Sequence, residues 1–214
     1  MPPDVWSQIR NTMPLGTMPG PKKPKDADSY LFPAVQELLE LMCGVVAFDS
    51  LLDSCFTMHA YLIHVFGDIP AISMTMGMKG HNGKCPCHTC NIIGVHAPGK
   101  KTLYVPLDRC CLYPSEALAD LITQYDPANL PLRNHNKFMT QACEVQAATM
   151  DVIEKQLSQK YSIKGIPLLG ILSSLSFPSS FPYDFMHEIW ENLISQSFAV
   201  QDRSIQRSWG WWML

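Results

Sequence analysis

A short cysteine-rich stretch is the feature that most restricts how this chain can fold. Three thiols and two flanking histidines lie within sixteen residues: Cys85, Cys87, Cys90, His81 and His96. Thiolates two or three positions apart can reach one tetrahedral Zn²⁺ ion. Reduced thiols in a surface loop would also give such a cluster, but so many ligand-type side chains in so few positions favour metal binding. We therefore expect a zinc site in this stretch.

The residues alone leave two ligand sets open for this zinc site. Four local side chains, for instance Cys85, Cys87, Cys90 and His96, can close a structural site by themselves. Equally, Cys87 and Cys90 can form half of a site whose other half comes from far along the chain.

The composition predicts a folded protein of the cell interior. Hydrophobic residues make up 47% of the 214 residues and charged residues only 16%, so the chain can bury a sizeable core. The N-terminus has no apolar signal region, and no apolar run approaches the length of a membrane span. Without an export signal, the eight cysteines are better explained by metal chemistry than by disulfides.

The net charge limits how the chain can contact nucleic acid. A formal charge of -3 argues against a surface that binds phosphates all over, because phosphate binding depends on Lys and Arg. Any DNA contact must therefore be local. The candidates are Lys22, Lys23 and Lys25, within a Pro- and Gly-rich segment that we interpret as part of an extended linker over residues 1–28. A short basic run of this kind is more often simply solvated.

Hydrophobic periodicity divides the rest of the chain into elements. The pattern predicts an amphipathic helix from Pro33 to near Gly44, and a buried strand from Phe56 to Asp68 that feeds a turn. Residues 78–101 look too polar for a core element and too long for a turn, which indicates an insertion. Two further helices are predicted over residues 136–161 and 184–200. The first of these should bury one side, formed by Phe138, Ala142, Val145 and Val152.

Acidic side chains supply a second group of candidate residues. Asp68 would stand at the end of the buried strand, where RNase H-like nucleases place a ligand for two-metal phosphoryl transfer. An aspartate at such a boundary is also a common turn former. His187 and Glu191 are four positions apart, so both can reach a metal or a phosphate from one face of a helix. The alternative is a plain amphipathic helix that Asp184 caps.

Several unusual strings occur in a fixed order: GDIPA, GHNG, PCxxC, LPLRNH and DFMHxxxEN. From about residue 11 to residue 193 the chain resembles the Tnp2-family (CACTA-like) DNA transposases that are abundant in fungi. The resemblance implies a mixed α/β fold with an RNase H-like core, of the DDE/D type. Such enzymes cut and join DNA with acidic residues and divalent metal, Mg²⁺ or Mn²⁺.

The resemblance also implies particular roles for site residues. In related enzymes the second catalytic acid precedes a Cys-x-x-Cys zinc half-site by about twenty positions, and Asp68 stands nineteen positions before Cys87. Asp68 is therefore expected to be that acid, and Cys87 and Cys90 the zinc thiolates. The histidine half of the zinc site lies far downstream, where His187 can supply it. Cys85 would then not be a ligand.

Two departures from the family pattern indicate a fragment. The first catalytic acid should lie upstream of the matched strings, where Asp4 has no strand around it, and residues 199–214 match nothing in the family. Glu191 is a substitute candidate for the last acid. We expect a partial RNase H-like catalytic domain over residues 29–200 that is inactive alone, with a zinc-binding insertion at about 78–101 and an unmatched tail at 201–214.

The implied partners follow from the same resemblance. They are the DNA of transposon ends and further copies of the chain, with which it would form a homo-oligomer. We expect the protein to lie in the nucleus and not to associate with a membrane. The alternative is a non-catalytic, zinc-stabilised DNA- or protein-binding module derived from a transposase.

Overall fold

The described part of the chain is mixed α/β, as the sequence predicts. The computed structural model describes residues 13–16, 26–80, 83–96, 103–108 and 124–183. Within these ranges it contains four α-helices and two antiparallel two-stranded ladders. The chain separates into two compact units, residues 1–61 and 62–214. An RNase H-like core stays a prediction. In the described ranges no helix has the length and apolar character needed to cross a membrane.

The first unit contains the predicted amphipathic helix, here α1 (Asp28–Cys43). It begins five positions earlier than the pattern indicates and includes Pro33. Gly44 ends it with a φ of +101°, and its N–H donates to the carbonyl oxygen of Glu40 at 3.0 Å. A Cβ at Gly44 would lie 2.6 Å from the His59 ring, so both the backbone and the space require glycine at this helix end.

A β-hairpin follows, formed by β1 (Val45–Asp49) and β2 (Ser54–Met58). The antiparallel register pairs Val45 with Met58 and Asp49 with Ser54. The Asp49 carboxylate accepts the N–H of Leu51 at 2.8 Å, which organises the connecting turn. Large apolar side chains on both faces of the hairpin are exposed: Val46, Phe48, Phe56 and Met58.

The predicted buried strand from Phe56 to Asp68 is wrong. Only its first residues pair in a ladder, as part of β2, and all residues of β2 are exposed. Residues 59–68 have no ladder partner within the described part of the chain, and Tyr61, Ile63 and Phe66 are between 54% and 70% exposed. The continuous apolar run predicted burial, yet none of residues 56–68 is buried. It carried no information about a pairing strand, and without that partner a strand does not form.

The second unit begins its regular structure with α2 (Ile69–Thr75). Two short strands, β3 (Val95–His96) and β4 (Leu103–Tyr104), pair antiparallel. Instead of one helix over residues 136–161, the chain forms α3 (His135–Gln146) and α4 (Asp151–Tyr161). Acidic residues in the first turn of α4 favour a new helix start there, because carboxylates stabilise a helix N-terminus.

The core of this unit lies around α3 and the chain that follows a short 3₁₀ turn at Leu168–Ile171. Phe138 stacks on Phe177 with ring centroids 5.3 Å apart, and Phe177 meets Phe181 at 4.7 Å. The predicted burial of Phe138, Ala142 and Val145 is confirmed. That of Val152 is wrong, since its side chain is 65% exposed once the helix is interrupted.

Candidate metal centre

The cysteine-rich loop is attached at one end to the chain that follows α4. The Ser162 hydroxyl oxygen accepts the backbone N–H of Cys85 at 2.7 Å, and the Ser162 carbonyl accepts the N–H of Lys79 at 2.9 Å. Ser162 is fully buried and has a φ of +60°. This left-handed conformation ends α4 and turns both oxygens of Ser162 toward the loop.

The other end of the loop runs beside the segment that precedes α3. The N–H of Asn91 donates to the carbonyl of Pro131, and the N–H of Arg133 donates to that of Thr89, both at 2.8 Å. The loop therefore contributes to the core, contrary to the expectation from its polarity. Its buried members include Cys85, His88, Cys90 and Ile92. Backbone pairing with two distant segments satisfies the polar groups that a buried loop would otherwise leave without partners.

Cys87 and Cys90 form a close pair at the centre of the loop. The backbone N–H of Cys90 donates to Cys87 Sγ at 3.3 Å, which closes a tight turn between the two residues. Cys90 belongs to a small hydrophobic cluster with Ile92 and Tyr125, and Cys87 packs against that cluster. The turn and the apolar packing together hold the two cysteines close to each other.

The two thiols differ sharply in acidity. A hydrogen bond from Cys90 lowers the pKa of Cys87 to about 4, with support from Thr89 and Tyr183 and against the opposing effect of burial. The same Cys87 interaction, with burial, raises the pKa of Cys90. These opposite pKa shifts favour a thiolate at Cys87 and a proton on Cys90. A divalent cation that binds both sulfurs would displace that proton.

Arg133 lies against the cysteine loop with only 6% of its surface exposed. Its Nε donates to the carbonyl oxygen of Cys87 at 3.0 Å and its Nη2 to that of Cys85 at 2.9 Å. Burial lowers the pKa of Arg133, while the charges of Cys85, Cys87 and Cys90 oppose that shift. The guanidinium thus fixes the loop backbone and places a positive charge beside the thiols.

Two hydroxyl groups and a histidine surround Cys87. Thr89 Oγ1 lies 3.2 Å from Cys87 Sγ, and Tyr183 Oη lies 3.5 Å from the same sulfur and also contacts Thr89 Oγ1. The His88 ring packs on Tyr183 with centroids 4.5 Å apart. Burial lowers the pKa of His88, which favours the neutral ring, and its Nε2 has no hydrogen-bond partner in the described structure. Burial also raises the pKa of Tyr183, so its hydroxyl stays protonated and can donate.

Among the residues that the structure describes, Cys87 and Cys90 come together without a third ligand. Within the described ranges, no three His, Cys, Asp or Glu side chains converge where they could hold a metal ion. Cys85 is buried and its backbone N–H and C=O are both hydrogen-bonded, while His96 lies in β3 with its side chain exposed. The remaining candidates lie outside the described residues: His81, His187, Glu191, Lys22, Lys23 and Lys25.

Asp68 occupies a different position from the one that the sequence indicates. It does not end a buried strand; it is the N-cap of α2, where its side-chain oxygen accepts the N–H of Ala71 at 2.7 Å. Pro70 in the first turn supports the same helix start. The side chain of Asp68 is exposed. The carboxylate is therefore accessible, and its observed contact is that of a helix cap.

Four residues that hold the cysteine loop or contact Cys87 are missing from the sequence-based candidates: Arg133, Ser162, Thr89 and Tyr183. Arg133 lies in the string LPLRNH, whose mixture of apolar and polar residues shows no period that would mark a buried arginine. Thr89 carries a weak signal, because it stands between the two cysteines. Ser162 and Tyr183 reach the loop across 77 and 94 or more positions, a separation that no local pattern reports.

Comparison with known proteins identifies the family. The sequence profile described as transposase family tnp2 matches residues 1–112, just over half of the chain. The matched range includes Asp68 and the cysteine loop. No curated protein and no solved structure matches the chain. On the profile match, the chain belongs to transposase family tnp2 and is transposase-derived.

Proposed function

We propose that this chain acts in DNA transposition as part of a DDE-type catalytic region, in which a structural zinc ion fastens the cysteine loop. Membership of the tnp2 family supports DNA as the partner. The observation that carries the metal part is the close approach of Cys87 and Cys90, with the N–H of Cys90 directed at Cys87 Sγ at 3.3 Å. Two soft sulfur ligands three positions apart are the chemistry that a zinc half-site needs.

The donors on the described chain fit zinc as two of its four ligands. Bound zinc would cross-link the loop to a second part of the chain and so stabilise the fold. We propose His187 as the distant ligand. Tyr183 already contacts Cys87 through its hydroxyl, and four residues of fully extended chain span at most about 14 Å. His187 is therefore within chain reach of the thiols. Cys85, His81 and His96 are the alternative ligands.

Asp68 is the proposed second catalytic acid. Its carboxylate is exposed and would help to hold a divalent cation, Mg²⁺ or Mn²⁺, that assists DNA strand cleavage and transfer. Two-metal chemistry needs further carboxylates beside Asp68, and Glu191 is the candidate for the last acid. Lys22, Lys23 and Lys25 are proposed contacts to the DNA backbone.

A second candidate function is a non-catalytic, zinc-stabilised module that binds DNA or protein. The observation in its favour is the helix-capping contact of Asp68 with Ala71, which explains an aspartate at this position without any catalytic role. In this alternative, zinc holds the loop and no cation binds at Asp68.

The substitution Asp68→Asn separates the two candidates. Asparagine caps a helix about as well as aspartate but has no charge for a cation, so the fold is kept while the proposed metal ligand is lost. With a DNA duplex present, Fe²⁺ in place of Mg²⁺ should cut the protein backbone near residue 68 when hydrogen peroxide and ascorbate are added, because bound Fe²⁺ reduces the peroxide to hydroxyl radicals locally and ascorbate regenerates the Fe²⁺. We expect this cut in the natural chain and its loss in Asp68→Asn. A zinc-loaded chain without any cut near residue 68 would support the non-catalytic module instead.

A further inference from the structure

Three polar groups converge on the sulfur of Cys87. The backbone N–H of Cys90 lies 3.3 Å from it, the Thr89 hydroxyl 3.2 Å and the Tyr183 hydroxyl 3.5 Å. The two hydroxyls also contact each other. Tyr183 is thus connected to the loop from 94 or more positions away in the sequence.

The chemistry of the groups determines the direction of these hydrogen bonds. A metal-bound thiolate has no proton and can only accept, so both hydroxyl protons must be used toward it or toward each other. The Thr89 hydroxyl has the closer contact with the sulfur and donates to it. Thr89 Oγ1 then accepts from the Tyr183 hydroxyl, which needs no ionisation of the phenol. The result is a hydroxyl relay from Tyr183 through Thr89 to Cys87.

We propose that Thr89 and Tyr183 are positioning residues of the metal centre, whose hydroxyl relay fixes the Cys87 thiolate and holds the chain at Tyr183 beside it. The inference rests on the proposed zinc site and adds two residues to it that are not ligands. Groups that hydrogen-bond a ligand atom orient it and adjust how strongly it donates to the metal. Here they would also hold the chain close to the thiols just before His187.

The relay acts on one thiolate of the pair. Thr89 hydrogen-bonds Cys87 and Tyr183 supports it by donating to Thr89, whereas the backbone hydrogen bond to Cys90 comes from Ile92. Removal of the relay should therefore change how strongly the Cys87 sulfur donates to the metal, while donation from the Cys90 sulfur stays the same. A general loosening of the loop would affect both sulfurs.

Cobalt provides a readout of this difference. Co²⁺ bound in place of Zn²⁺ absorbs in the near ultraviolet by charge transfer from each thiolate, and a hydrogen bond to sulfur moves that absorption to higher energy. We expect Tyr183→Phe and Thr89→Val to move part of the band to lower energy and to weaken Co²⁺ binding by about tenfold or more. Thr89→Ser keeps the hydroxyl and should keep both the band and the affinity.

Tyr161→Phe is the matched control. It removes a tyrosine hydroxyl that also hydrogen-bonds a side chain, Glu144 at 2.7 Å, but away from the thiols. Its spectrum and affinity should equal those of the natural chain. If Tyr183→Phe and Thr89→Val also keep the natural spectrum and affinity, the relay is wrong while the zinc site stands. If the natural chain binds no Co²⁺ at all, the metal centre itself is wrong, and the relay with it.

Discussion

The Ser162 hydroxyl oxygen accepts the backbone N–H of Cys85 at 2.7 Å and so joins two positions 77 residues apart. The contact forms because Ser162 ends α4 in a left-handed conformation, with a φ of +60°, and is fully buried. Cys85 is buried as well, so its N–H has little access to water. The single hydroxyl therefore decides whether a buried donor at the base of the cysteine loop has a partner.

Removal of that hydroxyl should lower the stability of the chain. We expect Ser162→Ala to reduce the free energy of unfolding by about 1–3 kcal/mol, because the N–H of Cys85 is left buried without a partner. Urea denaturation would measure the change. Ser179→Ala is the control, since its hydroxyl makes an exposed local bond to Ser176 and should matter by less than about 0.5 kcal/mol. Equal effects from both substitutions would contradict the importance of the Cys85 contact.

Gly83 approaches Ser162 so closely that the two positions should be coupled. A Cβ at Gly83 would lie 2.7 Å from both Cβ and Oγ of Ser162. Gly83→Ala should therefore destabilise the natural chain by about 1–3 kcal/mol through overpacking. In a Ser162→Gly background both clashing atoms are gone, so the same substitution should cost clearly less. A double-mutant cycle measures this difference, and a coupling energy near zero would show that the loop avoids the clash by moving.

The capping role of Asp68 can be tested by stability alone. Asp68→Ala should lower the free energy of unfolding by about 1 kcal/mol, because the N–H of Ala71 loses its acceptor at the start of α2. Asp68→Asn should change it little. Faster amide exchange at Ala71 in Asp68→Ala, and not in Asp68→Asn, would locate the effect at the cap. Similar destabilisation by both would mean that the negative charge contributes more than the cap geometry.

The parts of the fold that follow from local pattern are predictable from the sequence. Periodicity identified α1 and the buried side of α3, because a helix makes its own hydrogen bonds and needs only one apolar stripe. The spacing of Cys87 and Cys90 likewise identified a pair that a tight local turn brings together. In each case the interacting residues lie within a few positions of one another.

The parts that depend on distant partners were not predictable. The apolar run through Ile63 and Phe66 predicted a buried strand, yet burial and pairing depend on elements far along the chain. For the same reason the sequence of the loop does not predict its contacts with Arg133 and Ser162, since these contacts join positions 48 and 77 residues apart. Asp68 shows an intermediate case: the turn-forming interpretation was available from the sequence, and local capping is what the structure contains.

Arg133 should be among the most sensitive positions of the second unit. Arg133→Met would leave the carbonyl oxygens of Cys85 and Cys87 without their donors, and we expect a loss of about 2–4 kcal/mol in the free energy of unfolding. Arg133→Lys should recover only part of this loss, because an ammonium cannot reproduce the fork that reaches both oxygens. Denaturant titration of both variants measures the losses.

The control for Arg133 is Lys137→Met, which removes a positive charge from an exposed position four residues further along. This substitution should change the free energy of unfolding by no more than about 0.5 kcal/mol. If Lys137→Met were as damaging as Arg133→Met, general electrostatics would explain the loss better than the two hydrogen bonds to the loop. A full recovery by Arg133→Lys would point to the same conclusion.

Zinc binding should depend on Cys87 and Cys90 together and much less on Cys85. We expect the purified chain to retain about one Zn²⁺ per molecule after dialysis, measured by elemental analysis, and the double variant Cys87→Ser with Cys90→Ser to lose it. In Cys85→Ser the metal should remain, because the family resemblance assigns the zinc thiolates to Cys87 and Cys90, and serine keeps the backbone hydrogen bonds of position 85. Loss of zinc from Cys85→Ser as well would favour the local ligand set with His96. A natural chain that holds no zinc would contradict both ligand sets, and the thiol pair would then need another explanation.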